Sequence, residues 1–254
     1  MAALDLTFRV ATWNIHGCVG IDRLFDPERC VSIIESFDAD ILAVQEVNSR
    51  ISRRRGLDTF GLLRARTRCE AVEARMIVRD EDHYGHMLLS RWPILDGRVH
   101  DLSTRKREPR KAIEAMIKTP CGTLRVLAVH LGWRVLEQRK QVAMVRRIID
   151  EGGPQPTIML GDFNEPHRSA SAHRTFADGF EAAPPWPTFP TRRPFMPLDR
   201  IWCSPPLRMQ RAWVHKEAGK ASDHLPLLAN IRCTAAWQQD APLASEPAAA
   251  HPAR

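Results

Sequence analysis

Cysteine is sparse in this chain, and none of it is paired at short range. The six residues Cys18, Cys30, Cys69, Cys121, Cys203 and Cys233 are scattered, with no C-x-x-C pair and no nearby histidine at ligand spacing. That argues against a zinc-binding ribbon or a dithiol redox motif. In a chain of 254 residues it reads as buried free thiols rather than a disulfide framework. No uncharged apolar run approaches the ~20 residues that cross a bilayer. Ahead of the first strand-like segment, LTFRVATWNI from Leu6, there is no basic region followed by an apolar stretch and a small-residue cleavage site. Long internal repeats and interdomain linkers are also missing. These absences lead to the expectation of a soluble, cytoplasmic protein with one domain over residues 1–234. The 44% hydrophobic content is enough to build its core.

What the chain does have is positive charge. The formal balance is +7 and the isoelectric point near 9.4. Basic residues cluster in SRRRG at 52–56, RARTR at 64–68, RKREPRK at 105–111 and TRR at 191–193. Such a surface favours a polyanion or an anionic interface, without choosing between nucleic acid and phospholipid. From Ala235 the chain becomes AAWQQDAPLASEPAAAHPAR, rich in Ala and Pro and without periodicity, and residues 235–254 are expected to be a disordered tail.

Short apolar segments recur from end to end, at Phe8 to Trp13, Ile41 to Gln45, Met87 to Leu89, Ala112 to Ile117, Leu124 to Val129, Thr157 to Leu160, Leu198 to Trp202, Met209 to Val214 and Leu225 to Ile231. Continuous runs such as ILAV and LRVLAV indicate strands covered on both faces. Two helical patterns interrupt them. DPERCVSIIESF offers Asp26 as cap and Pro27 as first helical residue, with apolar residues at 30, 33, 34 and 37. VLEQRKQVAMVRRIIDEGG places apolar residues at 135, 136, 142, 145, 148 and 149 and ends at Gly152. The expected class is α/β, with sheets packed face to face and helices outside.

Polar residues fall at the strand ends. Asn14 follows FRVATW, Glu46 follows ILAVQ, His130 follows LRVLAV, and Asp162 and Asn164 follow TIML, while Asp199 and the pair Asp223 and His224 precede strands. One such residue is ordinary turn chemistry. Eight such residues, where strands can converge on one rim, point to a site.

The segments ATWNIHG, QEV, HYGHMLLSRWPI, LAVHLG, MLGDFNEP, PLDRIW and SDHLPL occur in the order seen in the endonuclease/exonuclease/phosphatase superfamily, and the chain resembles that superfamily over roughly residues 6–232. The resemblance implies a four-layer α/β/β/α sandwich of two mixed sheets and Mg²⁺-dependent cleavage of a phosphate ester, with Mn²⁺ as a substitute ion. Glu46 would be the principal metal ligand, with Asp223 or Asp162 close by directly or through water and Asn14 helping to place the ligands, since Mg²⁺ takes oxygen donors and keeps several waters. His224 would remove the proton of the attacking water, oriented by Asp199. Asp162 would position that water or protonate the leaving oxygen, and Asn164 would hold a phosphate oxygen, the two pointing the same way along an extended segment. His130 would donate to the charge that develops in the transition state.

Arg107 falls in REP, which resembles a phosphate-contacting segment of the nucleases, and Arg110 is its neighbour; both are candidate substrate-binding residues, with solvated surface charge as the competing reading. His86 stands where many relatives have Asn. For Trp133, just past His130, packing is favoured over stacking on a base or contact with lipid. Three functions are carried forward: a nuclease-like phosphodiesterase, a phosphatase or phospholipid- or inositol-phosphate-type phosphodiesterase, and a silent phosphate-binding protein. Arg192, Arg193, Trp186, Phe189 and Phe195 would flank the pocket under the second. A monomer is expected, with peripheral contact to anionic lipid left open.

Overall fold

Unbroken burial along the central strands is what organises this chain into layers. The computed structural model describes residues 6–48, 58–79, 82–105, 107–166 and 171–233. The tail at 235–254 and the basic cluster at 52–56 lie outside the described residues. Twelve strands are described: β1 Leu6–Asn14, β2 Ile41–Asn48, β3 Glu70–Arg79, β4 Asp82–Ser90, β5 Ile94–Asp101, β6 Lys111–Thr119, β7 Gly122–His130, β8 Thr157–Asp162, β9 Glu181–Ala182, β10 Asp199–Cys203, β11 Leu207–Val214 and β12 Leu227–Cys233. The α-helices are α1 Pro27–Ser36, α2 Thr59–Thr67, α3 Val135–Glu151 and α4 Ser171–Phe176.

The strands form two six-stranded mixed sheets, ordered β11-β12-β1-β2-β4-β3 and β5-β6-β7-β8-β10-β9. Every residue of β8 and of β10 is buried, as covering on both faces requires. Between the sheets lies a core that includes Val10, Ile41, Leu88, Val126, Leu160, Ile201 and Ile231. The outer face of the first sheet packs on α1 and α2 through Val31, Ile34, Phe60 and Leu63. The second sheet packs on α3 and α4 through Val142, Val145 and Phe176. The architecture is therefore the expected four-layer α/β/β/α sandwich. None of the six cysteines forms a disulfide, and five of them are buried.

Three expectations need correction. The strands β3 and β5 and the helices α2 and α4 had no clear signal. β3 and β5 are edge strands, and charged residues interrupt their apolar pattern, as edges that avoid pairing require. The apolar stripe assigned to α3 is also wrong at its start. Val135 and Leu136 are 61% and 71% exposed, and the first turns bury Glu137, Gln138 and Gln141 instead. Trp133, expected to pack, is 59% exposed. At the start of α1 the reading holds, because the Asp26 side chain accepts from the Arg29 backbone N–H at 2.9 Å.

Candidate active site

Two parallel strand pairs bring the polar residues to one rim. β1 runs parallel to β2 with Asn14 opposite Gln45, and β7 runs parallel to β8 with His130 opposite Asp162. β10 enters antiparallel, so that Asp199, its first residue, lies beside Asp162, the last of β8. Parallel neighbours end together, and this is why residues far apart in sequence share an edge.

Local backbone then aims each side chain. The β2–β4 register slips between Val44 and Val47, leaving Gln45 and Glu46 in a bulge, and Glu46 takes a left-handed φ of 55°. Bulges re-aim side chains, and a left-handed Glu is uncommon enough to point to a functional constraint. Asn164 is also left-handed, at φ 53°, and its N–H donates to Asp162 Oδ1 at 2.9 Å. The Asp162–Asn164 segment is therefore an Asx turn and not the extended stretch expected. Gly161 lets β8 lie close to β7, because a Cβ there would fall 2.0 Å from the Val129 carbonyl oxygen.

The side chains converge. Asn14 Nδ2 donates to Glu46 Oε1 at 3.0 Å and to Asp162 Oδ2 at 3.1 Å. His130 Nε2 stands 3.9 Å from Glu46 Oε1 and 3.7 Å from Asp162 Oδ2. From the other side, His224 Nε2 is 3.8 Å from Asp162 Oδ2, while its Nδ1 donates to Asp199 Oδ2 at 2.9 Å. Asn14, His130, Asp162, Asn164, Asp199 and His224 are each no more than 3% exposed. Asn164 Nδ2 donates to the Leu131 carbonyl at 2.8 Å, which leaves its second hydrogen free for a ligand.

Electrostatics follow from that crowding. Burial raises the Asp162 carboxyl to about 7; the His224 charge pulls it down, and the Asp199 charge adds to the rise. For His224, burial acts downward, but the charges of Asp199 and Asp162 and the Asp199 hydrogen bond outweigh it and raise the imidazole to about 10. His130 is lowered well below the usual imidazole range by burial, Arg110, His86 and His224. Arg110 Nη1 lies 3.5 Å from His130 Nδ1. A guanidinium can only donate, so Nδ1 accepts and the His130 proton sits on Nε2, facing the carboxylates.

Two carboxylates held by one amide, one of them raised by burial, make an oxygen-rich cluster short of positive charge. This donor set suits a hard divalent cation. Asp162, Asp199 and His224 also offer atoms within 4.8 Å of one another. Asp199 Oδ2, however, is engaged by His224, so the side facing Glu46 is the better cation position.

The other candidates lie around this centre. Asp223 is half-buried and receives a 3.4 Å contact from Ser222 Oγ, which also donates to the Asn14 carbonyl at 2.7 Å. Arg110 is not a surface charge. It is 3% exposed, behind His130, and paired with Glu108 at 3.1 Å. Arg107 is exposed on the loop that lines a neighbouring cleft with Trp133 and Arg134. His86 is fully buried, neither ring nitrogen makes a hydrogen bond, and burial with the nearby charges of Arg110 and Lys111 lowers it to about 3.

Sequence reading missed several supports. Ser222 ties the turn before β12 to β1, and the Trp13 indole N–H adds a second tie to the His224 carbonyl at 3.0 Å. Gln138 Nε2 donates to the Asn164 carbonyl at 2.6 Å, fixing α3 to the site. Phe189 was not missed: it was expected to flank the pocket under the second function, and it packs on the His224 ring at 4.9 Å. Tyr84 is held protonated by burial and by the Glu46 charge, against the opposing pull of Arg110. Of the residues missed, only Tyr84 had a signal, as the chain's one tyrosine, inside HYGHMLLSRWPI.

A family model described as the Endonuclease/Exonuclease/phosphatase family matches residues 11–224, a span that takes in every residue of this cluster. The chain belongs to that family. It is 28% identical over 250 residues to the uncharacterized protein YbhP of Escherichia coli K12, covering 89% of this chain and 97% of that one. Among solved structures, an endonuclease/exonuclease/phosphatase protein from Beutenbergia cavernae superposes with a TM-score of 0.75 at 20% identity, over 91% of this chain and 72% of that chain. The mannosyl-6-phosphatase Bt3783 of Bacteroides thetaiotaomicron superposes with a TM-score of 0.72 at 18% identity, over 88% and 99%. These structural likenesses concern the fold.

Proposed function

We propose that the chain is a divalent-cation-dependent hydrolase of phosphate esters, acting on a phosphodiester. The observation that carries this reading is the His224–Asp199 pair at 2.9 Å, with the free His224 nitrogen facing Asp162 and, across it, Glu46 and His130. Glu46 would hold Mg²⁺ or Mn²⁺, with Asn14 placing its carboxylate and Asp223 contributing from the neighbouring turn. When bound, such an ion polarises a phosphoryl oxygen, offsets charge on the leaving group and offsets the carboxylate field that keeps His224 protonated.

The protein's part is positioning and proton transfer. Asp199 accepts a hydrogen bond from His224 Nδ1–H and so leaves Nε2 as the atom that takes the proton of the attacking water. Asp162, between the two imidazoles, orients that water or gives a proton to the leaving oxygen. His130 presents Nε2–H to a non-bridging phosphoryl oxygen, and the remaining Asn164 amide hydrogen reaches another. Because these donors are fixed by buried hydrogen bonds, little reorganisation is needed as charge develops.

The test is hydrolysis of bis(p-nitrophenyl) phosphate by the purified chain. Turnover with Mg²⁺ or Mn²⁺ should vanish on chelation with EDTA, and His224→Ala should lower kcat by roughly 10²- to 10⁴-fold. Unchanged turnover in His224→Ala would remove the base from the mechanism.

A further inference from the structure

Beside the catalytic rim, the chain exposes large apolar side chains that its own fold does not use. Trp133, Val135 and Leu136 are 59%, 61% and 71% exposed, and Phe195 is 68% exposed. They are not scattered. Trp133 meets Phe189 edge to face at 6.4 Å, and Phe189 in turn packs on His224 at 4.9 Å. The Phe195 backbone N–H donates to the Phe189 carbonyl at 3.1 Å. The first turns of α3 are held rigidly beneath them, since Gln138 binds the Asn164 carbonyl at 2.6 Å and Gln141 accepts from the Gly132 N–H at 2.8 Å.

Cations surround these side chains. The cleft in front of α3 is lined by Arg105, Arg107, Arg134 and Lys140, and Arg192 and Arg193 are exposed on the loop that carries Phe195. Among the described residues, the one carboxylate lining the cleft is Glu137, which is 8% exposed and accepts from Thr104 Oγ1 at 3.3 Å. The outward face is therefore apolar at its tips and cationic around them.

We infer that this face docks the enzyme on a bilayer containing anionic phospholipid, so that a headgroup phosphodiester is presented to the His224 rim. The inference rests on the hydrolase reading given above and narrows its substrate class. Arginines and a tryptophan would serve a single-stranded nucleic acid equally well, through phosphates and base stacking. Val135 and Leu136 would not, because aliphatic tips cannot stack and gain only by leaving water. Exposed apolar side chains ringed by Lys and Arg are the pattern of interfacial binding to anionic lipid.

The full chain is sedimented with vesicles of equimolar phosphatidylglycerol and phosphatidylcholine, and with phosphatidylcholine alone. Binding is expected to the mixed vesicles and to fall about tenfold in Leu136→Asp, with a smaller fall in Leu136→Ala. Hydrolysis of bis(p-nitrophenyl) phosphate should be unchanged in both variants, because Leu136 touches nothing in the reacting cluster. Failure to bind the mixed vesicles overturns the inference, as does equal binding by Leu136→Asp. Tighter binding to a single-stranded oligonucleotide, lost in Trp133→Ala but kept in Leu136→Asp, overturns it in favour of nucleic acid. If vesicle binding needs Leu136 while the wild-type chain hydrolyses nothing, the docking surface stands and the catalytic reading falls. Hydrolysis without vesicle binding does the reverse.

Discussion

Three buried imidazoles, His86, His130 and His224, lie at or behind this rim, and their environments set them apart. His86 is buried and lowered to about 3 from 6.5, so the unfolded chain binds a proton there that the folded chain does not over that interval. Folded stability contributed by this group is complete above pH 6.5 and is lost as pH falls toward about 3. Denaturant titrations of the wild type and His86→Asn should therefore diverge below neutrality, with the variant gaining by about 1 kcal/mol per pH unit. Parallel curves would mean that His86 finds a partner for its proton. Under the proposed mechanism Arg110 would act on substrate through His130, whose Nδ1 lies 3.5 Å from its guanidinium. Replacing it by Met should lower kcat about tenfold, less than losing a direct oxyanion donor costs. The ¹⁵N spectrum should show His130 shifting from the Nε2–H form to a tautomer mixture. At this scale the sequence was informative about residue types and silent about orientation. Asp199 and His224 could be paired only through a resemblance, because nothing in their spacing reports that one faces the other. Arg110 was grouped with Arg107 as a candidate substrate contact because a run of basic residues hides which member turns inward.

Backbone irregularities do the aiming among the elements. The bulge at Gln45 and Glu46, the Asx turn at Asp162 and the close β7–β8 approach at Gly161 each fix one side chain. Gly161→Ala would set a methyl 2.0 Å from the Val129 carbonyl oxygen and force a φ of 149° on an L-residue. A loss of about 3 kcal/mol in urea denaturation is expected, together with loss of activity, since β8 must retreat from β7. Little or no loss would show that the two strands can separate at no expense. The central strands were legible because burial on both faces leaves unbroken apolar runs. Edge strands β3 and β5 were not, because solubility demands charges that interrupt their pattern. The start of α3 misled for the opposite reason: periodicity shows that residues share a face but not whether that face meets the core. Buried Gln138 and Gln141 are there to bind backbone groups, and a hydrophobic pattern does not report that role.

For the whole molecule, the crossover topology brings six segments to one edge, and the packed sheets hold like charges together that would separate in a looser body. A divalent cation at the proposed position would relieve that repulsion. Mg²⁺ or Mn²⁺ at a hundredfold its dissociation constant should stabilise the fold by about 2.7 kcal/mol, seen as a rise in Tm, and Glu46→Gln should abolish the rise. Class and family were readable along the whole chain because the strand-end motifs keep their order. Substrate was not, since the surface proposed to select it is assembled from α3 and the loop at Phe195, which no single stretch displays. The most direct test of the central claim is anomalous diffraction at the manganese edge from a crystal grown with Mn²⁺. The account predicts one dominant peak at about 2.2 Å from the Glu46 carboxylate, on the side facing Asn14 and Asp162. A manganese peak elsewhere, with the Glu46 carboxylate left uncoordinated, would contradict it.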